Sequence, residues 1–221
     1  MNHSLSQRLV AEAIGTATLL AAVVGSGIMG ERLAAGNVAI ALLANSIATG
    51  AALVALILAF GRISGAHLNP VVSLAIAWQR GISWREAAAY IVAQLGGAVA
   101  GVGIAHLMFE LPLFSVSQHV RNGSSQVLSE AVAAFGLIAV IWGSSRLKPS
   151  AVAFAVAAYI VAACWFTAST SFANPAVTLA RSVTDTFAGI RPVDAPAFIV
   201  AQIGGAAAAT ALFRWFDSRE P

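Results

Sequence analysis

Between Ser64 and Leu74 the chain reads Ser-Gly-Ala-His-Leu-Asn-Pro-Val-Val-Ser-Leu, and between Ser171 and Leu179 it reads Ser-Phe-Ala-Asn-Pro-Ala-Val-Thr-Leu. This doubled phrase constrains the fold more than any other feature. In each copy a loop of small residues meets an Asn-Pro step and then an apolar run. Asn is a favoured helix N-cap, and Pro fits the first helical turn, where its missing N–H costs no intrahelical bond. Each copy therefore predicts a loop that turns into a helix. Both helices are short, from Asn69 to about Trp78 and from Asn174 to about Thr184. Roughly ten residues at 1.5 Å each cover about 15 Å, half of a hydrocarbon core about 30 Å thick. Such a segment can enter a membrane and cannot cross it.

That a membrane is involved follows from composition. Hydrophobic side chains make up 59% of the 221 residues and charged ones only 10%, with a mean hydropathy of +0.83. This is too apolar for an ordinary soluble domain. The charges are also segregated around stretches long enough to span: about Leu9–Met29, Asn37–Phe60, Trp84–Leu107, Gln126–Ser144, Ala151–Ala168 and Pro192–Trp215. The expected fold is an all-α membrane protein of six transmembrane helices and two re-entrant half-helices, a single domain over 1–221. No signal peptide is expected at the N-terminus, because Glu12 interrupts the apolar run and no cleavage site follows. The net charge of +3 comes without a basic run or interleaved aromatics, which argues against a nucleic-acid partner.

The halves repeat beyond the Asn-Pro steps. Ala11-Glu12-Ala13 opens the first span and Ser129-Glu130-Ala131 the fourth, and Ala89–Gly101 is nearly copied by Ala197–Ala209. Each half, about 8–108 and 125–216, holds three spans, so the second enters the membrane from the opposite side and the repeat is inverted. Lys and Arg set the orientation. With both termini cytoplasmic, Arg8, Arg62, Arg80, Arg85, Arg146, Lys148, Arg214 and Arg219 lie inside, against Arg32, Arg121, Arg181 and Arg191 outside.

Irregular backbone at membrane depth must be buried in protein or face water. Two re-entrant loops therefore predict a cavity. Inversion sets the two half-helix N-termini nose to nose, each carrying about half a positive charge, which repels cations. Asn69 and Asn174 can donate to a guest, while the carbonyls of Gly65, Ala66, His67, Ser171, Phe172 and Ala173 can accept from one. Small hydroxylic neutral solutes match this chemistry, whereas ions lack a filter or a charged ring.

On the twin Asn69-Pro70-Val71 and Asn174-Pro175-Ala176 motifs and their matched helices, the chain resembles the major intrinsic protein family, the aquaporins and aquaglyceroporins. That resemblance covers the whole chain. It implies a homotetramer in contact with membrane lipid, a passive pore through each subunit and no cofactor or bound metal. It also implies a filter just outside the second motif, built by a residue on the second span, one on the fifth, a loop residue and an Arg directly after the motif. By correspondence these positions fall on Thr49, on Ala163 within the window Ala162–Cys164, on Phe172 or its neighbour Ser171, and on Val177. The signature Arg is absent and Thr replaces a bulky residue, which widens the constriction and removes a donor fork. The run Thr170-Ser171-Phe172-Ala173-Asn174-Pro175-Ala176-Val177-Thr178 is similar to bacterial aquaglyceroporins associated with arsenic resistance. That similarity implies a bacterial inner membrane and passage of glycerol-like polyols, arsenite and methylated arsenicals.

The remaining candidates each have a plain alternative. Arg181, one turn beyond Val177, either guards an outer vestibule, where it attracts anions, or snorkels or pairs with Asp185 at i+4. Glu12 and Glu130 suggest an ion pathway, but as repeat mates they are expected to hold the re-entrant loops by accepting their N–H groups. His67 reads as a packed neutral imidazole ahead of a pH gate, and Gln94 and Gln202 as interhelical donors. Cys164 reads as a packing residue unless it faces the pore. A secondary transporter also uses inverted repeats, yet no coupling charge stands out. A water-selective channel is the other rival, and no nucleophile, base or metal-ligand cluster suggests an enzyme.

Overall fold

Two of the long helices begin with a reciprocal capping box, in which a Ser side chain accepts from the N3 backbone while the N3 side chain bonds the cap. Ser4 and Gln7 start α1 (Leu5–Leu33), and Ser83 and Glu86 start α4 (Trp84–Met108). The computed structural model describes residues 3–218, so Arg219 lies outside the described residues. Asn37 caps α2 (Val38–Ser64), which ends on Gly65 in the left-handed conformation. α5 (Ser124–Leu147) follows Gly123, a 3-10 turn at Pro149–Ala151 leads into α6 (Val152–Phe166), and α8 (Ala195–Asp217) completes the long helices. All six, with the turn counted into α6, are long and apolar enough to cross a membrane. An even number of crossings puts both ends of the described chain on one face, and the long 109–123 connection lies on the other.

The half-helices α3 (Pro70–Trp78) and α7 (Pro175–Ala180) start at the Asn-Pro steps, with each Asn side chain accepting from the backbone of its own first turn. α7 is shorter than the expected run to Thr184 because it tightens into a 3-10 turn at Arg181–Val183. α3 enters from the face of the termini and α7 from the opposite one. This gives the inverted bundle of six spanning helices and two re-entrant ones.

Glycines set how closely the halves are knit. A Cβ on Gly97 would stand 2.2 Å from the Ala13 carbonyl oxygen of α1, and one on Gly205 would stand 2.1 Å from that of Ala131 on α5. These equivalent contacts bring α4 onto α1 and α8 onto α5 backbone to backbone, the close approach that small residues allow between membrane helices. Large apolar side chains such as Ile47, Val92, Leu107 and Val200 remain exposed on the outer surface. There they meet lipid or a neighbouring chain rather than water.

Candidate functional site

The approach to each half-helix is built in the same way. Ala66 and Leu68 precede Asn69 with φ of +46° and +49°, and Ser171 and Ala173 precede Asn174 with φ of +53° and +49°. Left-handed residues at alternate positions turn neighbouring peptide N–H groups to one side, forming a concave nest that suits an anion. A carboxylate fills each nest. Glu12 accepts from the backbone N–H of His67 at 2.9 Å and of Leu68 at 2.7 Å, and Glu130 from those of Phe172 and Ala173, both at 2.9 Å. Gln94 donates to Glu12 and to Ser73, and Gln202 donates likewise to Glu130 and Thr178. Both carboxylates are fully buried and meet only donors. The geometry supports the loop-holding reading over an ion pathway.

With their N–H groups turned outward to the carboxylates, the two loops meet at the bundle centre. Asn69 Nδ2 donates to the Ala173 carbonyl at 2.8 Å, and Asn174 Nδ2 donates to the Leu68 carbonyl at the same distance. Asn69 Oδ1 accepts from Val71, and Asn174 Oδ1 accepts from Ala176 and Val177. Each amide thus caps its own helix and tethers the opposite loop. Among the described residues only one N–H of each NH2 group meets an acceptor, and both side chains line a cavity. The Ala173 carbonyl, expected to face a guest unassisted, is already engaged by Asn69.

The cavity holds about 270 Å³, several times the ~30 Å³ share of a water molecule. Its wall is made of helical stripes at i+4 spacing: Asn45, Thr49, Leu53 and Ile57 on α2, and Val152, Val156, Ile160 and Cys164 on α6. Leu19 and Val23 on α1 are matched by Leu137 and Ile141 on α5, and Val72 and Ile76 on α3 by Val177 on α7 and Arg181 in the 3-10 turn that follows it. Gly65, Ala66 and His67 complete one side, and Thr170, Ser171, Phe172 and Ala173 the other. Pro70, Val71, Pro175 and Ala176 stand behind this surface as buried helix starts.

Several expectations need correction against this geometry. On α6 the residue at the cavity is Cys164, not Ala163, which is fully buried off the lumen. Only one residue separates them, and the turn between α6 and Asn174 decides the register. Arg181 neither snorkels nor pairs with Asp185. It is 6% exposed, its Nε donates to the Ala188 carbonyl, and its guanidinium carbon lies 3.4 Å from the Phe172 ring centroid. Asp185 instead accepts from the Gln118 backbone N–H. His67 places Nδ1 3.0 Å from Ser73 Oγ and packs its ring on Tyr90. Asn45 was not foreseen, although its i−4 position from Thr49 marks it as part of the same stripe.

On the face opposite the termini, connections cover the mouth. Arg121 donates to the Gly189 and Ser169 carbonyls, and its backbone N–H donates to Asp194. Burial pushes the Arg121 guanidinium below its ordinary value. Hydrogen bonding from the Arg191 guanidinium holds the Asp194 carboxyl below the usual carboxylate range.

Two half-helices tethered nose to nose across a central cavity identify the architecture, and the sequence pattern of the family described as Major intrinsic protein matches residues 1–149 and 143–220. The chain belongs to the major intrinsic protein family. It is 57% identical over 211 residues to the aquaglyceroporin AqpS of Rhizobium meliloti, covering 96% of this chain and 90% of that protein. A shorter match, 35% identity over 92 residues, links it to the glycerol uptake facilitator protein of Bacillus subtilis, spanning 36% of this chain and 34% of that one. Among solved structures it is similar to the aquaglyceroporin from Plasmodium falciparum, with a TM-score of 0.72, 20% identity, and coverage of 98% of this chain and 97% of the other. These relatives are membrane channels, and the protein is a channel rather than an enzyme.

Proposed function

We propose that the chain is an aquaglyceroporin-type channel that equilibrates water and small neutral hydroxylic solutes of glycerol size. The observation that carries the proposal is the pair of Asn amides at the cavity centre, each with one N–H held by the opposite loop and one left for a guest. The relatives named aquaglyceroporin and glycerol uptake facilitator favour the same solute class. Passage past fixed donors and acceptors down the solute's own gradient needs no coupling charge and no ion gradient.

The finer reading is a constriction widened at Thr49 and Val177, closed on its other sides by Cys164 and Phe172. It is meant to admit arsenite, a neutral trihydroxylated species, and methylated arsenicals besides glycerol. The carbonyls of Gly65, Ala66, His67 and Ser171 serve as acceptor rungs along the way. Assembly as a homotetramer in a bacterial inner membrane, with both termini cytoplasmic, belongs to the same reading and rests on the family and the Lys/Arg distribution.

Proteoliposome flux tests it. Vesicles carrying the protein should shrink in hyperosmotic glycerol and then re-swell faster than empty ones, independently of any ion gradient. Val177→Arg combined with Thr49→Trp should cut glycerol and arsenite uptake while sparing part of the water flow. Unchanged glycerol flux in that double variant would sink the assignment of the constriction.

A further inference from the structure

Arg181 is a buried cation without a counter-ion. Among the described residues no carboxylate lies within ion-pair distance of it. Its Nε is committed to the Ala188 carbonyl, and its flat face is stacked on Phe172. Among the described residues the terminal Nη1 and Nη2 groups have no partner, and neither is among the buried polar atoms sealed from open space. Since Arg181 lines the cavity, its remaining donors are directed into it.

Asn45 stands at the same depth. A methyl placed on Gly27 would lie 3.6 Å from the Asn45 amide nitrogen and 3.7 Å from Ala188 Cβ. Ala188 is the residue whose carbonyl fixes Arg181. The Asn45 nitrogen is used up structurally, donating to the Val23 carbonyl at 2.8 Å and to Ser26 Oγ at 2.9 Å. Because Val23 offers a carbonyl, which can only accept, the amide orientation is settled, and Oδ1 has no donor among the described residues, on a cavity-lining residue that is 9% exposed. Asn45 is one helical turn from Thr49, as Arg181 is from Val177, so the pair forms a layer about 6 Å beyond the Thr49–Val177 level.

We propose that Asn45 and Arg181 form the solute-selecting tier of this channel, displaced one turn outward from the Thr49–Val177 constriction. The tier offers one acceptor and a fork of donors, and so recognises a neutral solute with adjacent hydroxyl groups. One hydroxyl donates a hydrogen bond to Asn45 Oδ1 while solute oxygens accept from the Arg181 N–H groups, replacing water lost on entry. Phe172 and Ala188 are the positioning residues that hold the fork. The proposal rests on the channel reading and assigns its selectivity to residues other than Thr49 and Val177.

The test compares glycerol and water permeability of the full-length protein in proteoliposomes by stopped-flow light scattering. Arg181→Met keeps much of the bulk and removes the charge and the donors. Losing hydrogen bonds from a charged group predicts a fall in glycerol permeability of about tenfold or more, with water permeability changed by less than about twofold. Asn45→Leu, nearly isosteric, should reduce glycerol permeability severalfold on its own. It keeps the proposal testable if the arginine variant does not fold. Glycerol and water permeabilities within about twofold of wild type in folded Asn45→Leu or Arg181→Met protein would overturn the tier. Absence of glycerol flux through the wild-type protein would instead overturn the channel reading itself.

Discussion

The two re-entrant segments follow one construction rule and end in opposite chemistry. Each has left-handed residues three and one before its Asn, a buried Glu accepting the two N–H groups between them, and a Gln bridging that Glu to a hydroxyl on the half-helix. Beyond the Asn steps the likeness stops. The residue seven positions after Asn69 is Ile76 and the one seven after Asn174 is Arg181, and both line the cavity. One end of the channel is therefore walled by Leu53, Ile57, Ile76 and Val152, and the other by Asn45, Thr49, Ser171 and Arg181. The repeat supplies the scaffold, and departures from it supply selectivity.

The shared scaffold gives the largest expected effect. Glu12 also accepts from Ser64 Oγ at 2.6 Å, a contact with no counterpart at Glu130 among the described residues. Replacing either residue by Gln sets an amide donor against backbone donors and orphans at least one buried N–H. Each change should be strongly destabilising, with Glu12→Gln worse than Glu130→Gln by about one hydrogen bond to a charged group, roughly 1.5–3 kcal/mol. Thermal unfolding in one detergent, followed by intrinsic fluorescence, checks the order. Equal losses would mean that the Ser64 contact carries no weight, and the halves would be more alike than their bonding indicates.

Transplanting the difference sharpens the comparison further. Ile76→Arg puts a guanidinium at the position equivalent to Arg181, but the counterpart of Phe172 there is His67, whose ring is already engaged by Tyr90 and Ser73. The segment after Ile76 turns back at Gly81, whose N–H bonds the Ile76 carbonyl, instead of bringing in a carbonyl as Ala188 does. A guanidinium on an apolar wall that offers it no acceptor forgoes hydrogen bonds to a charged group worth about 1.5–3 kcal/mol. The variant should therefore be destabilised by an amount of that order and conduct glycerol poorly. Wild-type stability and flux would show that an arginine at either mouth needs no prepared seat.

The same contrast explains what could be read before the structure. The six spans, both half-helices and their inversion follow from local signals: apolar length, Asn-Pro caps and repeat mates such as Glu12 with Glu130. Counting along single helices leads to Thr49 and Val177, and the same count leads to Asn45. It also puts Arg181 on the face of Val177, yet the seat of Arg181 depends on Ala188, which returns to it only after α7 tightens and the 184–194 connection doubles back. Cys164, at the edge of the Ala162–Cys164 window, shows the same limit. Periodicity fixes which face of a helix is buried, whereas the register at its end is set by a turn whose geometry is tertiary.

The smallest effect concerns the cover over the polar end. Asp194 ties two connections together, accepting from the Arg121 backbone N–H and from the Arg191 guanidinium. Its pKa is lowered in the folded protein, chiefly by the bond from Arg191. The stabilisation is therefore fully present above the unfolded value, near 3.9, and is lost as pH falls through the lower folded value. The pair is partly open to solvent, so the gain is modest. Melting temperature should stay level from pH 7 to about 5 and then fall, and Asp194→Asn should remove part of that fall while lowering the plateau slightly. If the acid limb of the Asp194→Asn curve runs parallel to wild type, the tie does not titrate as a unit, and the polar mouth is held by the Arg121 carbonyl contacts alone.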